Sequence, residues 1–128
     1  MSCVVFAKDV NRLVSFYQPL LNATVTESAK SHTVLVAEKA EVVIHAIPAA
    51  VAKSIVIGEP PKPRGETAIK PVFIVDSLQR VYAVCQENGG GMKPLDSVWD
   101  IRGYQVLDGW DPEGNVLQFK QRLGARLA

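Results

Sequence analysis

The sequence predicts an α+β fold built from two tandem β-α-β-β-β modules, and three observations carry that expectation. The run Val4-Val5-Phe6, followed by apolar residues at Val10, Leu13, Val14 and Tyr17, recurs 68 residues later as Val72-Phe73-Ile74 with Leu78, Val81, Tyr82 and Cys85. The i, i+3, i+4, i+7 spacing makes one face of a helix in both copies. Asp9 and Ser77 stand one residue before those faces, where a short side-chain oxygen accepts from the free amides of the first turn.

The first helix is expected to close near Leu21-Asn22 and the second at Asn88-Gly89, because Asn and Gly adopt the left-handed conformation that ends a helix. Three strands should follow each helix. In the first half they are Ala23 to Thr26, Thr33 to Ala37 and Glu41 to Ile47, the last two joined by a hairpin connection at Glu38-Lys39. Ala49 to Ile55 suggests a short helix. In the second half the strands are Met92 to Ser97, Tyr104 to Asp108 and Asn115 to Gln121. Gly89-Gly90-Gly91 reads as a flexible exit from the second helix, since neither a following helix nor a lysine makes it a phosphate cradle. Asp111-Pro112-Glu113-Gly114-Asn115 is strong turn chemistry, with Pro fixing φ and Gly and Asn accepting positive φ.

Between the halves, Glu59-Pro60-Pro61-Lys62-Pro63-Arg64-Gly65-Glu66 is too rich in proline and charge to pack as an element and reads as an extended surface connector. This divides the chain into module one (residues 1–58), a linker (59–67) and module two (68–128). A module of about 60 residues is too small to build a comfortable core alone, so the two are expected to pack together as a single domain spanning residues 1–128.

Composition narrows the function. The chain has 128 residues, 48% hydrophobic and 21% charged, with a formal net charge of +1 and no block of like charges. No basic stripe is available for nucleic acid. Val42 to Ile57, the most apolar stretch, is broken by His45, Pro48 and Lys53 and is shorter than the ~20 residues that span a bilayer. Lys8 and Asp9 interrupt the opening apolar run before a signal-peptide core forms. The expectation is a cytoplasmic protein with no membrane or nucleic-acid partner. Cys3 and Cys85, far apart and among apolar neighbours, read as reduced packing thiols.

Phe16-Tyr17, Leu20-Leu21, Arg102-Gly103-Tyr104 and above all Asp111-Pro112-Glu113-Gly114-Asn115-Val116-Leu117 resemble the glyoxalase/bleomycin resistance/dioxygenase group, the vicinal oxygen chelate superfamily. The resemblance covers nearly the whole chain. It implies paired modules forming an incomplete barrel around a pocket, a homodimer, and a divalent metal held by residues of the first and fourth strands of each module. Carried over by position, the ligand set is incomplete. The usual histidine of the first strand falls near Ser2 or Cys3, its counterpart near Lys70, and the usual glutamate of the last strand nearest Gln118; only His45 is a plausible donor. A catalytic zinc site keeps three strong protein ligands and an iron oxygenase two His and a carboxylate, so no metal or other cofactor is expected.

Five residues are candidates for ligand binding. His45 alternates with Val43 and Ile47 and is placed to orient a ligand or move a proton near neutral pH, or else to be hydrogen-bonded into its sheet. Lys70 offers an ammonium for an anion, or a base if desolvated. Gln118 shares the period-two face of Val116. Trp99 and Tyr104, with Trp110, are placed to wall a planar or cationic ligand or simply to pack the strands. His32 sits at the start of a strand with no evident partners. Asp96, Asp100, Asp108 and Asp111 lack calcium-loop spacing, and Asp111 reads as part of the turn. The expected function is therefore binding of a small molecule in an apolar cleft without the usual metal. Two alternatives stand beside it: a lyase, dioxygenase or isomerase, metal-dependent or with His45 or Lys70 as base, and a scaffold whose pocket is filled by its own side chains.

Overall fold

The computed structural model describes residues 1–124. Module one comprises β1 (Ser2–Ala7), α1 (Val10–Leu21), β2 (Thr24–Ser28), β3 (His32–Val36) and β4 (Glu41–Ala46), followed by the short helix α2 (Ala49–Ala52). Module two comprises β5 (Val72–Ile74), α3 (Leu78–Glu87), β6 (Gly91–Met92), β7 (Trp99–Ile101), β8 (Tyr104–Trp110) and β9 (Val116–Arg122). The first sheet runs β1-β4-β3-β2 and the second β5-β9-β8-β6, with β7 also on β8. In each module the opening strand lies parallel to the last one, β1 beside β4 and β5 beside β9, and the other pairings are antiparallel. The expected duplication is thus a duplication of topology, in two mixed sheets that do not close into a barrel.

Both caps form as expected. The Asp9 side chain accepts from the Arg12 amide at 3.1 Å, and Ser77 Oγ accepts from the Arg80 amide at 3.1 Å. Asn22 ends α1 at φ 53° and Gly89 takes φ 85° after α3. The end of α1 has a further partner in Arg80 of α3, whose guanidinium donates to the carbonyls of Pro19 and Leu20 at 3.4 and 3.1 Å. A cation there satisfies acceptors that the helix itself leaves open.

Three local expectations are corrected. Met92 to Ser97 is not one strand: pairing stops after Met92, and Pro94 opens a 3₁₀ turn over Leu95–Ser97, closed by the Ser97 amide and hydroxyl on the Pro94 carbonyl at 2.9 and 2.6 Å. The chain then rejoins β8 as β7. The helix after Pro48 ends at Ala52 rather than Ile55. The glycine run is packed rather than loose, because a Cβ on Gly90 would stand 2.4 Å from both Phe16 Cε1 and the Trp110 carbonyl oxygen.

One continuous core joins the modules. Leu13, Phe16, Tyr17 and Leu20 of α1 and Leu78, Val81 and Cys85 of α3 are buried with Val42, Ile44, Phe73, Leu107, Leu117 and Phe119 of the two sheets. α1 packs on β3 and β4, α3 on β6, β8 and β9, and the helices touch each other. Each sheet therefore turns one face to the helices and the other outward. Burial sends the Cys85 thiol up to about 12 and raises Cys3 as well, which leaves both thiols inert near neutral pH.

The Asp111–Asn115 turn is the clasp between modules. Asp111 is fully buried; one carboxylate oxygen accepts from the amides of Glu113 and Asn115 at 2.9 and 3.0 Å, the other from the Tyr17 hydroxyl at 2.6 Å and Asn115 Nδ2 at 2.8 Å. Burial, and then the Asp111 charge, push the Tyr17 phenol well above its ordinary range. Glu113, also buried, accepts from the backbone amides of Lys8 and Asp9, one on each oxygen, at 2.8 Å. The connector rides over this turn: the Arg64 amide donates to the Gly114 carbonyl at 2.9 Å, Pro61 is buried, and Arg12 pairs with Glu59 at 2.9 Å. Gly114 is required there, since at φ 83° any Cβ would stand 2.3 Å from the Lys62 carbonyl oxygen.

Candidate functional site

Register decides what the outward faces carry, because residues paired across strands share a face. On the first sheet, Ser2, Val4 and Phe6 lie beside Glu41, Val43 and His45, which lie beside Val36, Val34 and His32. This face is apolar yet open, with Val4 53% and Phe6 59% exposed. His45 stands on it with Val43, as the alternation predicts. Its Nδ1 donates to the Ala46 carbonyl at 2.9 Å, which leaves Nε2 as the free acceptor.

Sequence reasoning left His32 without partners, and the structure corrects this. His32 is directly opposite His45, its ring stacked on that of His45 at 6.0 Å between centroids, while Phe6 meets His45 edge-on at 5.8 Å. The Glu27 carboxylate pairs with His32 Nε2. Glu27, His32, His45 and Phe6 thus form one row across the face.

On the second sheet, Val72 and Ile74 lie beside Gln118 and Lys120, which lie beside Asp108 and Val106. Lys70 Nζ donates to one oxygen of Asp108 at 3.1 Å, and Gln118 Nε2 donates to the other at 3.2 Å. Lys70 and Gln118 are therefore brought together, through an aspartate that sequence reasoning did not select. The Lys120 ammonium lies 4.4 Å from the centroid of the Tyr104 ring, a cation–π contact beside the cluster. Trp99 is opposite Val106 and 42% exposed. Trp110 is at the other end of β8 from Tyr104, six residues and roughly 20 Å along the strand. The three aromatics do not form a single wall.

Among the described residues, no hydrogen bond, ion pair or ring contact links His45 to the Lys70–Asp108–Gln118 cluster. Each lies on the outward face of its own sheet, the face turned away from the helix packed on that sheet.

A metal of the kind the resemblance implies does not fit these donors. Cys3 points to the helix side of its sheet, partly buried against the core, and not to the face of His45. Lys70 is committed to Asp108. Among the described residues, no three His, Cys, Asp or Glu side chains converge as a metal ion requires.

Comparison with solved structures gives the fold. The chain is similar to a glyoxalase/bleomycin resistance protein/dioxygenase family enzyme from Burkholderia phytofirmans, with 17% identity over 95% of this chain and 97% of that one and a TM-score of 0.71. It is similar to the fosfomycin resistance protein FosX from Listeria monocytogenes, solved as a variant with Mn(II) and 1S,2S-dihydroxypropylphosphonic acid, with 15% identity, coverage of 97% and 90%, and a TM-score of 0.65. A bleomycin resistance determinant encoded on transposon Tn5 matches at 15% identity, 96% and 97% coverage, and a TM-score of 0.59. The sequence matches no protein-family model and no curated protein. The chain has the glyoxalase/bleomycin resistance/dioxygenase fold, as the sequence resemblance implies. Among the described residues, no helix is long and apolar enough to cross a membrane.

Proposed function

We propose that this chain is a single-domain member of the glyoxalase/bleomycin resistance/dioxygenase superfamily that binds a small molecule as a cytoplasmic homodimer. Its cleft forms where the outward face of the first sheet in one copy meets the outward face of the second sheet in the other. The observation that carries this reading is the Lys70–Asp108–Gln118 constellation, a satisfied polar cluster on the outward face of the second sheet beside the part-exposed apolar side chains of Ile74 and Trp99. A few convergent polar groups on apolar walls are what fix a small ligand's orientation.

Two features favour a second copy as the opposite wall. The first face leaves Val4 and Phe6 more than half exposed side by side, apolar surface of the kind a partner covers. The charges are also complementary: Glu27 and Glu41 lie on the first face, Lys70, Lys120 and Arg122 on the second. The composite cleft would hold an apolar body against Phe6, Val4 and Trp99, with its polar end toward His45 on one wall and the Lys70 cluster on the other.

A second reading rests on the free Nε2 of His45. A neutral imidazole with its other nitrogen committed to a carbonyl is set to take a proton from a bound substrate, which is isomerase or epimerase chemistry without a metal. Lys70 serves as an anchor in both readings, since its ammonium is held by Asp108.

Sedimentation equilibrium with titration of 8-anilinonaphthalene sulfonate tests the proposal. The expected result is a dimer that binds about one dye per cleft, with dimerisation weakened in Phe6→Lys and dye affinity reduced in Lys70→Ala. A monomer at about 0.1 mM with unsaturable dye uptake would refute it. Deuterium exchange into a carbonyl substrate that survives chelation and vanishes in His45→Ala would select the isomerase reading over simple binding.

A further inference from the structure

A cavity of about 580 Å³ opens at the amino end of α1, away from both outward faces, between the β2–β3 turn and Ile57 of the connector. Its walls are supplied with donors that have no protein acceptor. Among the described residues, the amides of Val10 and Asn11, the first two helical residues, make no hydrogen bond, whereas Arg12 and Leu13 donate to the side chain and carbonyl of Asp9. Thr33 lines the cavity at 5% exposure and makes no side-chain hydrogen bond among the described residues. Because no fully enclosed side-chain oxygen lacks a partner, its hydroxyl is open to the cavity. Lys8 and Lys30 bring two ammonium groups; the first is held only by the neutral Ile55 carbonyl, and the second has no ion pair among the described residues.

Two carboxylates share the walls and keep their negative charge, because their hydrogen-bond partners are neutral backbone amides. Asp9 caps the helix, and Glu113 spends one oxygen on each of the Lys8 and Asp9 amides. Arg12 is neutralised by Glu59. Two backbone amides and the Thr33 hydroxyl are left without an acceptor among the described residues, beside the Lys8 and Lys30 ammonium groups and at the positive end of a helix of 12 residues.

We propose that this cavity is a second binding site, which takes the oxyanion end of an organic phosphate or carboxylate. The free amides and the Thr33 hydroxyl donate to its oxygens, with the Lys8 and Lys30 ammonium groups beside it to offset the Asp9 and Glu113 carboxylates. The volume falls in the ~300–1,000 Å³ range of pockets that enclose a drug-sized ligand. The oxyanion is therefore the head of a larger molecule, with Val10 and Ile57 beside its body.

The test is a titration of the ¹⁵N-labelled full chain with inorganic phosphate, and separately with acetate, each matched in ionic strength by sodium chloride. The amides of Val10, Asn11 and Thr33 are expected to move saturably with one of the two anions and not with chloride. Saturation by phosphate identifies a phosphate head, and saturation by acetate a carboxylate. Lys30→Gln should weaken binding about threefold through the lost charge. Thr33→Val, which keeps the side chain's shape, should weaken it about fivefold through one lost hydrogen bond while the melting temperature is retained. Shifts that fail to saturate, that chloride reproduces, or that persist unchanged in both variants would overturn the proposal.

Discussion

Replacing Glu113 by alanine is expected to remove about 3–4 kcal/mol of stability, and the figure follows from what the carboxylate holds. Each oxygen accepts one backbone amide at 2.8 Å, from Lys8 and from Asp9, and the residue is 3% exposed. A hydrogen bond to a charged acceptor contributes about 1.5–3 kcal/mol, so the two together are worth about 3–6 kcal/mol before the relief of desolvating a buried carboxylate is subtracted. Alanine also leaves two amides without an acceptor at the junction of the modules. Glutamine keeps one carbonyl oxygen but turns an NH₂ group toward the other amide, and should cost about 2 kcal/mol. Equilibrium urea unfolding, followed by tryptophan fluorescence and far-ultraviolet circular dichroism, measures both. With a slope of about 1.5–2 kcal/mol per molar, alanine should lower the midpoint by ~2 M. Hydrogen exchange adds a local test, because protection should fall first at Lys8 and Asp9 and not along β9. An alanine variant within about 1 kcal/mol of the parent at unchanged slope would show that the turn does not clasp the modules.

Two further outcomes follow from the core. The unfolded Cys85 thiol ionises from 9.0 whereas the buried one keeps its proton up to about 12. The unfolded state therefore binds fewer protons in that window, and stability falls as pH rises through it, by about 1.4 kcal/mol per unit. Denaturation midpoints between pH 8 and 11 should show Cys85→Ala losing stability more slowly than the parent; parallel slopes would exclude the thiol as a cause. Gly90→Ala should cost about 2–3 kcal/mol because its Cβ meets a backbone oxygen that cannot move aside, whereas Gly65→Ala, with nothing within 4 Å, should stay within about 0.5 kcal/mol. Thermal melts of the pair decide it, and equal melting temperatures would refute the packing account.

The duplicated topology was legible because it is written locally, in apolar spacing, caps and turns. The pairings that build the candidate sites are not local, yet part of their signal was present. Counting six residues outward from Glu38 and from Lys39 reaches His32 and His45, and five residues either side of Glu113 reach Asp108 and Gln118. Once a hairpin's turn is placed, equal steps from it give cross-strand partners, so the His32–His45 stack and the Asp108–Gln118 bond follow from the turns themselves. Lys70 on Asp108 was not readable this way, since it depends on β5 returning parallel to β9. Nor was the burial of Glu113: a glutamate in a Pro-Glu-Gly turn has every local mark of an exposed residue, and its acceptor role depends on amides more than a hundred positions earlier in the chain.

The same distinction separates the Asp111–Asn115 turn from the residues of the outward faces. Asp111, Glu113, Gly114 and Asn115 serve the architecture: they bind Tyr17, the amino end of α1 and the connector, and none of them reaches an outward face. Altering the turn would separate the modules, whereas altering an outward face leaves the core untouched. The two sets of residues are therefore free to change independently, and the turn carries no information about the chemistry of the faces. What the faces hold must be taken from the faces themselves. There the donors are an imidazole row with one glutamate and, on the outward face of the other sheet, a lysine and a glutamine sharing one aspartate. Among the described residues, no contact joins these two groups within one copy. The proposed dimer would bring one group from each copy to a shared cleft, and the apolar exposure around each is the surface that such a contact would remove from water.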